Sequence, residues 1–182
     1  MKEPVKTLPI LDRDAPILRQ KAKNVPLDEV GSAHIRKAIA DMQAAMHGQK
    51  DGIAIAAPQI GIPLRIFVVS GNLLKQADKT YKGDGSDIIF INPEITKRSR
   101  EKKEVEEGCL SVRWLYGKVR RSTRVTLKSW DDKGKKSERG ASGLMAQIFQ
   151  HETDHLDGVL FIDKARELWE MSDEEVAELN KK

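Results

Sequence analysis

The stretch QIFQHETDHLDGVLF (147–161) contains the motif H-E-x-x-H, with His151 and His155 four residues apart and Glu152 directly after the first histidine. Helical spacing extends around it from about residue 142 to residue 156, and Gly158 offers an end. Apolar residues occupy all faces of this segment, a pattern that is typical of a buried helix and not of a surface helix. The sequence therefore predicts a central buried helix that carries the motif.

The two histidines form a candidate metal site because side chains four residues apart on a helix point the same way. His151 and His155 can each present a ring nitrogen to one ion about 2.0–2.1 Å away, and Glu152 can reach a water on that ion. The alternative is a pair of hydrogen-bonded core histidines. It leaves the carboxylate beside them unexplained, since buried carboxylates are rare unless paired. The motif therefore favours a metal site.

A catalytic site of this kind needs a third protein ligand, and the sequence offers two candidates. Cys109 lies in EVEEGCLSV, where Gly108 lets the backbone approach closely and a thiolate would bind a borderline divalent ion firmly. Glu174 follows His155 at about the distance at which thermolysin-like peptidases carry their third ligand. The segment SDEE, however, reads as a capping box with Ser172 as N-cap, which explains its acidic residues without a metal. We therefore prefer Cys109.

Length and composition fit one globular domain, since the chain has 182 residues of which 39% are hydrophobic. It contains no run of about 18 apolar residues, and the segment MKEPVKTLPILDRDAPILRQ lacks the apolar core of a signal peptide. We expect a single catalytic domain over 1–182 that is cytoplasmic and has no membrane anchor. Cys109 is the sole cysteine, which excludes an internal disulfide. The net charge of +4 is small against a mixed-sign population of charges.

The remaining periodic segments indicate an α+β protein. Apolar residues at helical spacing ahead of Gly48 predict an amphipathic surface helix, and they are Ile35, Ile39, Met42 and Met46. Strand-like runs lie at Leu64–Ser70, Asp87–Ile95 and Arg124–Trp130, the last closed by the turn DDKG. Because the strands surround the buried helix instead of alternating with helices, we predict antiparallel sheets wrapped around it.

Two polar segments fall between these elements. Lys75–Ser86 contains glycines and few apolar residues, which predicts an exposed loop. The run KVRRSTR (118–124) is the densest basic stretch of the chain. It has two interpretations, a patch that binds nucleic acid or a strand edge protected by charge, and the sequence leaves both open.

Three stretches of the chain resemble the motifs of the peptide deformylase family, the enzymes that remove the formyl group from the N-terminus of nascent bacterial proteins. They are GIAIAAPQIG (52–61), EGCLS (107–111) and QHETDH (150–155), and their order and separations also fit. Weaker likeness lies in APILRQKAKNV (15–25) and INPEI (91–95), so that the resemblance covers roughly residues 8–165.

The resemblance implies one divalent ion held by Cys109, His151 and His155, with a water as the remaining ligand. Ferrous iron is the usual native metal of the family, and Zn²⁺, Ni²⁺ or Co²⁺ can substitute for it. Glu152 would carry the proton of the attacking water. The Gln59 side-chain amide and the Leu110 backbone N–H would donate to the oxyanion. Taken without the family, Gln59 could also be a plain turn residue after a proline.

By the same likeness, the substrate lies extended along the backbone near Gly52, Ile53, Ala54 and Gly108, as an added strand. Its first side chain, a methionine, would enter an apolar pocket lined by Leu144 and Ile148, two residues that could equally be plain core.

The chain departs from the family pattern at several positions near the expected substrate channel. Ala54 stands where the family has a second glycine, and Ile55 replaces a usual leucine. After EGCLSV the family commonly has proline, whereas this chain continues with RWLYGKV. Arg113 and Trp114 could contact the peptide or could pack and face solvent, and we favour the second interpretation. Gln147 adds a polar side chain near the pocket wall.

The resemblance also implies N-formylmethionyl peptides as partners and work near the ribosome exit. The terminal segment SDEEVAELNKK, a predicted helix over about 172–182, is acidic before its last lysines, which does not favour contact with ribosomal RNA there. Two rival classes remain for comparison. A metallopeptidase would use Glu174 in place of Cys109, and a non-enzymatic metal protein would close its site with four protein ligands.

Overall fold

The structure, a computed structural model, describes residues 7–181, with side chains described through residue 178. Residues 1–6, which open the N-terminal segment discussed above, lie outside the described residues. The α-helices are α1 (Ala33–His47), α2 (Gly71–Ala77), α3 (Gly143–Leu156) and α4 (Asp173–Lys181). Short 3₁₀ helices lie at Pro16–Arg19, Ala57–Ile60 and Phe161–Asp163.

The strands form two sheets in which all neighbouring strands are antiparallel. The first sheet has the order β1-β2-β3-β6-β7, with strands β1 (Ala54–Ala56), β2 (Ile66–Val69), β3 (Ile88–Arg98), β6 (Arg124–Trp130) and β7 (Lys136–Ser142). The second has the order β4-β5-β8, with strands β4 (Lys102–Cys109), β5 (Val112–Ser122) and β8 (Leu168–Glu170). The predicted α+β class with antiparallel sheets is confirmed.

Helix α3 is the central element, and its burial follows from apolar residues on all its faces. Phe149 is fully buried and packs against the aromatic rings of Phe67 and Phe90, at 6.1 Å and 5.1 Å between ring centroids. Val125 and Leu127 on β6 complete this core. The buried helix that the sequence predicts over 142–156 is confirmed, and Gly158 after it has φ +77°.

Helix α1 covers the opposite face of the five-stranded sheet. Ser32 caps its first turn by accepting a hydrogen bond from the Ile35 backbone N–H at 3.3 Å. The four predicted apolar residues of α1 are all buried, together with Ile55, Ile66, Val68 and Ile91 of the sheet. The predicted amphipathic helix is thus confirmed, and the large sheet has a helix on each face.

The structure corrects the prediction for one polar segment and divides the residues of the other between surface and core. Lys75–Ala77 belongs to the end of α2, which begins where the Ser70 hydroxyl accepts a hydrogen bond from the Leu73 backbone N–H, so the exposed loop begins only after it. The basic run 118–124 is not a continuous basic strip. Lys118 pairs with Glu167, and Arg121 is buried at 5% exposure.

Strand β7 is a further element that the sequence patterns did not reveal, because its residues are nearly all exposed and none of them is large and apolar. None of the helices in the described part of the chain has the length and apolar content that crossing a bilayer requires.

Candidate metal centre

Two elements bring the predicted ligands together: β4 ends at Cys109, and α3 presents His151 and His155 one turn apart. The candidate ligand atoms of these three residues all lie within 4.8 Å of one another, and Cys109 Sγ is 3.1 Å from His155 Nε2. Ligands about 2.0–2.3 Å from one ion must lie about that close together. The geometry therefore fits a single metal ion, and it is the only such group among the described residues.

The backbone at Cys109 is shaped by the β4–β5 hairpin. Pairing shifts register between Gly108 and Cys109, so a bulge turns the thiol toward α3. Gly108 is needed because the Tyr116 ring lies over it, and a Cβ there would come within 2.5 Å of that ring. The family-type sequence EGC thus has a packing reason at its glycine.

Electrostatics make this cluster attractive to a cation. Burial alone would raise the pKa of the Cys109 thiol, but the charge of His155 and a hydrogen bond with His151 lower that pKa to about 5. Burial would lower the pKa of His151, yet hydrogen bonds with Cys109 and Glu107 raise it well above its usual value. Cys109 is therefore a thiolate at neutral pH. A divalent cation can take the place of the proton that the nearby negative groups otherwise keep on His151.

Glu152 lies beside the three candidate ligands and is 4% exposed. Within the described side chains, two buried polar atoms lack a hydrogen-bond partner, and they are Glu152 Oε2 and His155 Nδ1. Burial raises the pKa of Glu152, and the nearby charges of His151 and His155 oppose that rise. A buried carboxylate oxygen without a partner is costly, so its persistence in this position points to a group that it meets during function.

A buried ionic network supports the cluster, and sequence reasoning missed it. Glu107 accepts two hydrogen bonds from the Arg121 guanidinium, at 2.7 Å and 2.8 Å, and its Oε2 lies 2.9 Å from His151 Nδ1. Arg121 also contacts Asp154 at 2.5 Å, and Asp154 accepts from the Lys164 ammonium at 2.6 Å. The network holds the His151 ring by one nitrogen, which leaves the other for the centre.

The acidity of Glu107 reflects this network. Burial alone would raise its pKa, but the hydrogen bonds from Arg121 and His151 lower it to about 2. The sequence signal for Arg121 is its strand spacing: it stands two residues after Val119 and so shares a face with Val119, and both residues are buried. The density of positive charge in the run KVRRSTR directed the interpretation to the surface instead.

Gln59 is not a plain turn residue. It is 2% exposed, and its side-chain oxygen accepts from the Ala56 backbone N–H at 2.8 Å. Its Nε2 donates to the Ser111 hydroxyl at 3.1 Å and lies 3.5 Å from Cys109 Sγ. The amide is thereby held with its N–H group directed at the cluster, in the first turn after β1.

A cavity of about 300 Å³ opens beside the cluster. Most of the residues predicted to act on the substrate line it, namely Ile53, Ala54, Gln59, Gly108, Leu110, Leu144, Ile148 and Glu152. Gly52 does not line it. A Cβ at position 52 would lie 2.5 Å from the Met46 carbonyl oxygen, so close packing against the end of α1 requires glycine there. Ala54 has no positive φ, and its methyl group is therefore compatible with the backbone there.

The mouth of the cavity carries the residues that depart from the family pattern. Arg113 donates to Asp51 at 2.7 Å and to Gln49 at 2.6 Å, and its guanidinium lies 5.1 Å from the centre of the Trp114 ring. Trp114 has φ +64°, a left-handed conformation that is rare for a bulky residue. Both residues line the cavity and are half-buried there, and their contact with a bound peptide stays a prediction. Gln147 also lines it and donates to the Glu106 carbonyl at 2.7 Å.

Residues 7–170 match the sequence profile of the family described as polypeptide deformylase. The chain belongs to this family. It is 44% identical over 165 residues to the peptide deformylase of Mesorhizobium japonicum, covering 91% of this chain and 86% of the relative. The crystal structure of peptide deformylase from Thermotoga maritima superposes with a TM-score of 0.76 at 35% identity and covers 88% of this chain and 99% of its own.

A further family structure carries a peptide. The class I type b peptide deformylase from Acinetobacter baumannii, with Met-Ala-Ser bound, superposes with a TM-score of 0.75 at 34% identity, over 87% of this chain and 99% of its own. The family consists of metal-dependent hydrolases that remove the N-formyl group from nascent peptides, and this chain is such an enzyme.

The rival third ligand, Glu174, lies exposed on α4 and is not part of the cluster. Its segment forms the predicted capping box: the Ser172 backbone N–H donates to the Glu175 carboxylate at 2.8 Å, and the Glu175 N–H donates to the Ser172 hydroxyl at 3.3 Å. A metallopeptidase arrangement with Glu174 as ligand is therefore wrong for this structure.

Proposed function

We propose that this deformylase hydrolyses the formyl amide of N-formylmethionyl peptides with Cys109, His151 and His155 as the ligands of one divalent ion and Glu152 as the proton carrier. The observation that carries the proposal is the unpartnered, buried oxygen of Glu152 beside a cluster of three ligand atoms. Three ligands leave room for a reacting group, which distinguishes a catalytic site from a closed structural one.

One thiolate and two imidazoles suit a borderline divalent ion, and we propose ferrous iron as the native metal, with Zn²⁺, Ni²⁺ or Co²⁺ as substitutes in preparations. When bound, such an ion acts as a Lewis acid that lowers the pKa of water and polarises a carbonyl oxygen. Glu107 fixes the His151 ring from behind, so that the ligand nitrogen keeps its direction.

Glu152 takes the proton of the attacking water at its unpartnered Oε2 and later delivers it to the leaving amine. Burial supports the first step, because a raised pKa makes the Glu152 carboxylate a better base. The products are formate and a peptide with a free N-terminus.

Two donors stabilise the negative charge that develops on the formyl oxygen. Gln59 is already oriented by Ala56 and Ser111, so no reorganisation is needed when charge appears. The Leu110 backbone N–H is the second donor, at the turn between β4 and β5. The loss of one such donor typically lowers the rate about 10²–10³-fold.

The peptide lies between Ile53–Ala54 on one wall and Gly108 on the other, and its main-chain groups supply most of the recognition. Its first side chain enters between Leu144 and Ile148, where a flexible thioether fits an apolar slot. Leu144 and Ile148 also belong to the core around α3, so the pocket wall is rigid. The Met-Ala-Ser bound to the Acinetobacter enzyme is consistent with this class of ligand. The enzyme would work in the cytoplasm near the ribosome exit, where formylated chains emerge.

The test is release of formate from formyl-Met-Ala-Ser by protein loaded with each metal, with acetyl-Met-Ala-Ser as a control substrate. We expect formate at one equivalent per peptide, no cleavage of the Met-Ala bond, and little hydrolysis of the acetyl compound. Cleavage of internal peptide bonds, or a closed site that binds metal without turnover, would contradict the proposal.

A further inference from the structure

A basic hollow lies on the face of the five-stranded sheet that points away from α3. Val125 and Leu127 of β6 face α3. Because side chains alternate along a strand, Arg124 and Thr126 face the opposite, outward side. Directly opposite residues on antiparallel strands share a face, and Lys97, Thr126 and Gly140 lie abreast across β3, β6 and β7. The hollow has a volume of about 570 Å³. Helix α1 covers the other half of this face, against β1 and β2.

The floor of the basic hollow is made of small groups. Arg124 lies opposite Ser142, next to the Thr126 and Gly140 pair, and Ser99 lines the same hollow. A Cβ built on Gly140 meets nothing within 4 Å, which shows open space above it. The hollow therefore offers hydroxyl donors on a floor flanked by long cations.

The cations of the basic hollow are free of carboxylates among the described side chains. Lys97, Arg98 and Arg124 line it, none of the three is in an ion pair, and no acidic residue lines the hollow. Several other cations of this protein are paired, such as Lys37 with Asp41 and Lys118 with Glu167, whereas Lys97, Arg98 and Arg124 are grouped around one hollow that no carboxylate lines. An unpaired group of like charges is unfavourable for the isolated fold, so a complementary anion is the natural partner.

The positive charge extends over the adjoining corner of the molecule. The Ser99 backbone N–H donates to the Arg124 carbonyl at 2.9 Å, which brings Arg100 and Lys102, both exposed, beside the hollow. Two carboxylates of this region are exposed neighbours, and each accepts a threonine hydroxyl: Glu101 from Thr123 at 3.0 Å and Glu138 from Thr96 at 3.2 Å. The local excess of charge stays positive.

We propose that the basic hollow binds the phosphodiester backbone of RNA. Arginine presents a planar fork that matches phosphate oxygens. Arg124 faces outward into the hollow, and Arg98, which lies opposite Val125, also borders it. Thr126 and Ser142 add hydroxyl donors of the kind that position phosphates, whereas the Ser99 hydroxyl already donates to the Glu101 carbonyl at 2.9 Å. A membrane surface fits less well, because the rim has no large exposed apolar side chain to insert. The choice of RNA over DNA rests on the proposed function, since an enzyme of nascent chains works beside RNA.

The basic hollow is separate from the catalytic cavity. The two share no lining residue. They approach each other at the start of α3, where Ser142 lines the hollow and Leu144 lines the cavity. RNA bound in the hollow therefore leaves the deformylation site open, and binding and catalysis can be measured independently on one preparation.

The test is titration of a short fluorescein-labelled single-stranded RNA with metal-loaded protein over a series of KCl concentrations. In the triple variant Lys97→Ala, Arg98→Ala, Arg124→Ala we expect RNA affinity to fall about tenfold or more, and the slope of log K against log salt to shrink by about 2. Gly140→Glu is a second variant that keeps the backbone and places a carboxylate in the open space, and it should weaken binding in the same direction.

The matched control removes three paired cations instead, with Lys37→Ala, Lys118→Ala and Arg166→Ala, which lowers net charge equally. Formate release from formyl-Met-Ala-Ser should be unchanged in every variant, so that failure of the proposed function shows in that assay alone. Equal loss of RNA affinity in the control, or no loss in the hollow variants, would overturn the proposal. So would tighter binding to phosphatidylcholine vesicles containing phosphatidylglycerol than to RNA.

Discussion

Glu152 combines three properties at one residue: it is buried, it retains an oxygen without a partner, and its pKa is raised by burial. Glu152→Gln keeps the shape and removes the proton carrier, while the three candidate ligands remain. We expect kcat to fall about 10²–10⁴-fold with metal content unchanged, as measured by formate release and metal analysis of the same samples. Glu104→Gln, an exposed position on β4, serves as the control. Retained turnover in Glu152→Gln would remove this residue from the mechanism.

Cys109 is the residue that distinguishes this centre from a peptidase site. Cys109→Ser replaces a thiolate by a hydroxyl that is hard and weakly acidic, so the affinity for Zn²⁺ or Fe²⁺ should fall, about 10-fold or more. Competition with a chromophoric chelator measures it. Glu174→Ala is the matched control, and its affinity should equal that of the unmodified protein. The opposite ranking would assign the third ligand to Glu174.

At the scale of elements, Arg113 fastens the β4–β5 turn to the loop between α1 and β1 across the mouth of the cavity. It contacts Asp51, Gln49 and the Trp114 ring, so its guanidinium is held in one orientation at the cavity wall. A fixed donor at the mouth can bind the main chain of a peptide beyond its first residue. In Arg113→Ala we expect KM for formyl-Met-Ala-Ser to rise about tenfold, the value of roughly one charged hydrogen bond, with kcat little changed.

Substrate length provides the internal control for that prediction. Formyl-methionine amide ends before the mouth and should show the same KM with Arg113→Ala as with the unmodified enzyme. Lys118→Ala lies on the same strand and removes an exposed cation with its own partner, Glu167. An equal loss for both substrates in Arg113→Ala would mean that the residue serves the fold of the hairpin and not the recognition of the peptide.

The ionic network between β5 and α3 gives a second prediction at the scale of elements. Arg121→Ala would leave the carboxylates of Glu107 and Asp154 buried beside each other without their shared partner. Breaking a buried pair on one side typically costs about 3–5 kcal/mol of stability. Urea unfolding should show a loss of that size, and metal affinity should fall with it, because Glu107 no longer holds His151. Arg120→Ala, the exposed neighbour, should change neither quantity.

Elements with strong apolar periodicity could be predicted from the sequence, and those stabilised by their partners could not. Helices α1 and α3 follow from their spacing of large apolar residues. Strand β7 has no such signal because it pairs along the exposed edge of β6 and buries no large side chain. Helix α2 is seven residues long and buries only Gly71 and Leu74, which is too little apolar spacing to predict a helix, and its clearest local signal is the Ser70 cap.

The residues of the candidate site also fall into those that the sequence predicts and those that it does not. The motif residues could be predicted because their identities carry the chemistry, whereas Arg121 and Asp51 act through geometry between distant strands and loops. Arg113 is held at the cavity by Asp51 and Gln49, and Trp114 beside it has a left-handed backbone that no spacing rule predicts. Long-range pairing of charges is a property of the assembled fold, and a single sequence does not display it.

At the scale of the whole molecule, the candidate centre lies where the smaller sheet meets the helix of the larger sheet, beside the ionic network that already links them. Cys109 belongs to the smaller sheet, with its own core around Leu18 and Phe161, and the histidines belong to the helix of the larger sheet. An ion bound between them acts as a cross-link that exists only in the folded state. Stability and metal occupancy should therefore be coupled across the entire chain.

Removal of the metal tests that coupling. An ion present at a thousandfold excess over its dissociation constant stabilises the folded state by about 4 kcal/mol. For a chain of this size, each kcal/mol shifts Tm by about 2–4 °C, so chelation should lower Tm by roughly 8–16 °C. Thermal unfolding followed by circular dichroism, with and without chelator, measures the shift, and added Zn²⁺ should reverse it while Mg²⁺ should not. Cys109→Ser should show a smaller shift, because its ion is held less tightly. The contradicting result is an equal Tm with and without metal in an unmodified protein that binds one equivalent tightly. It would show that the ion does not join the two cores.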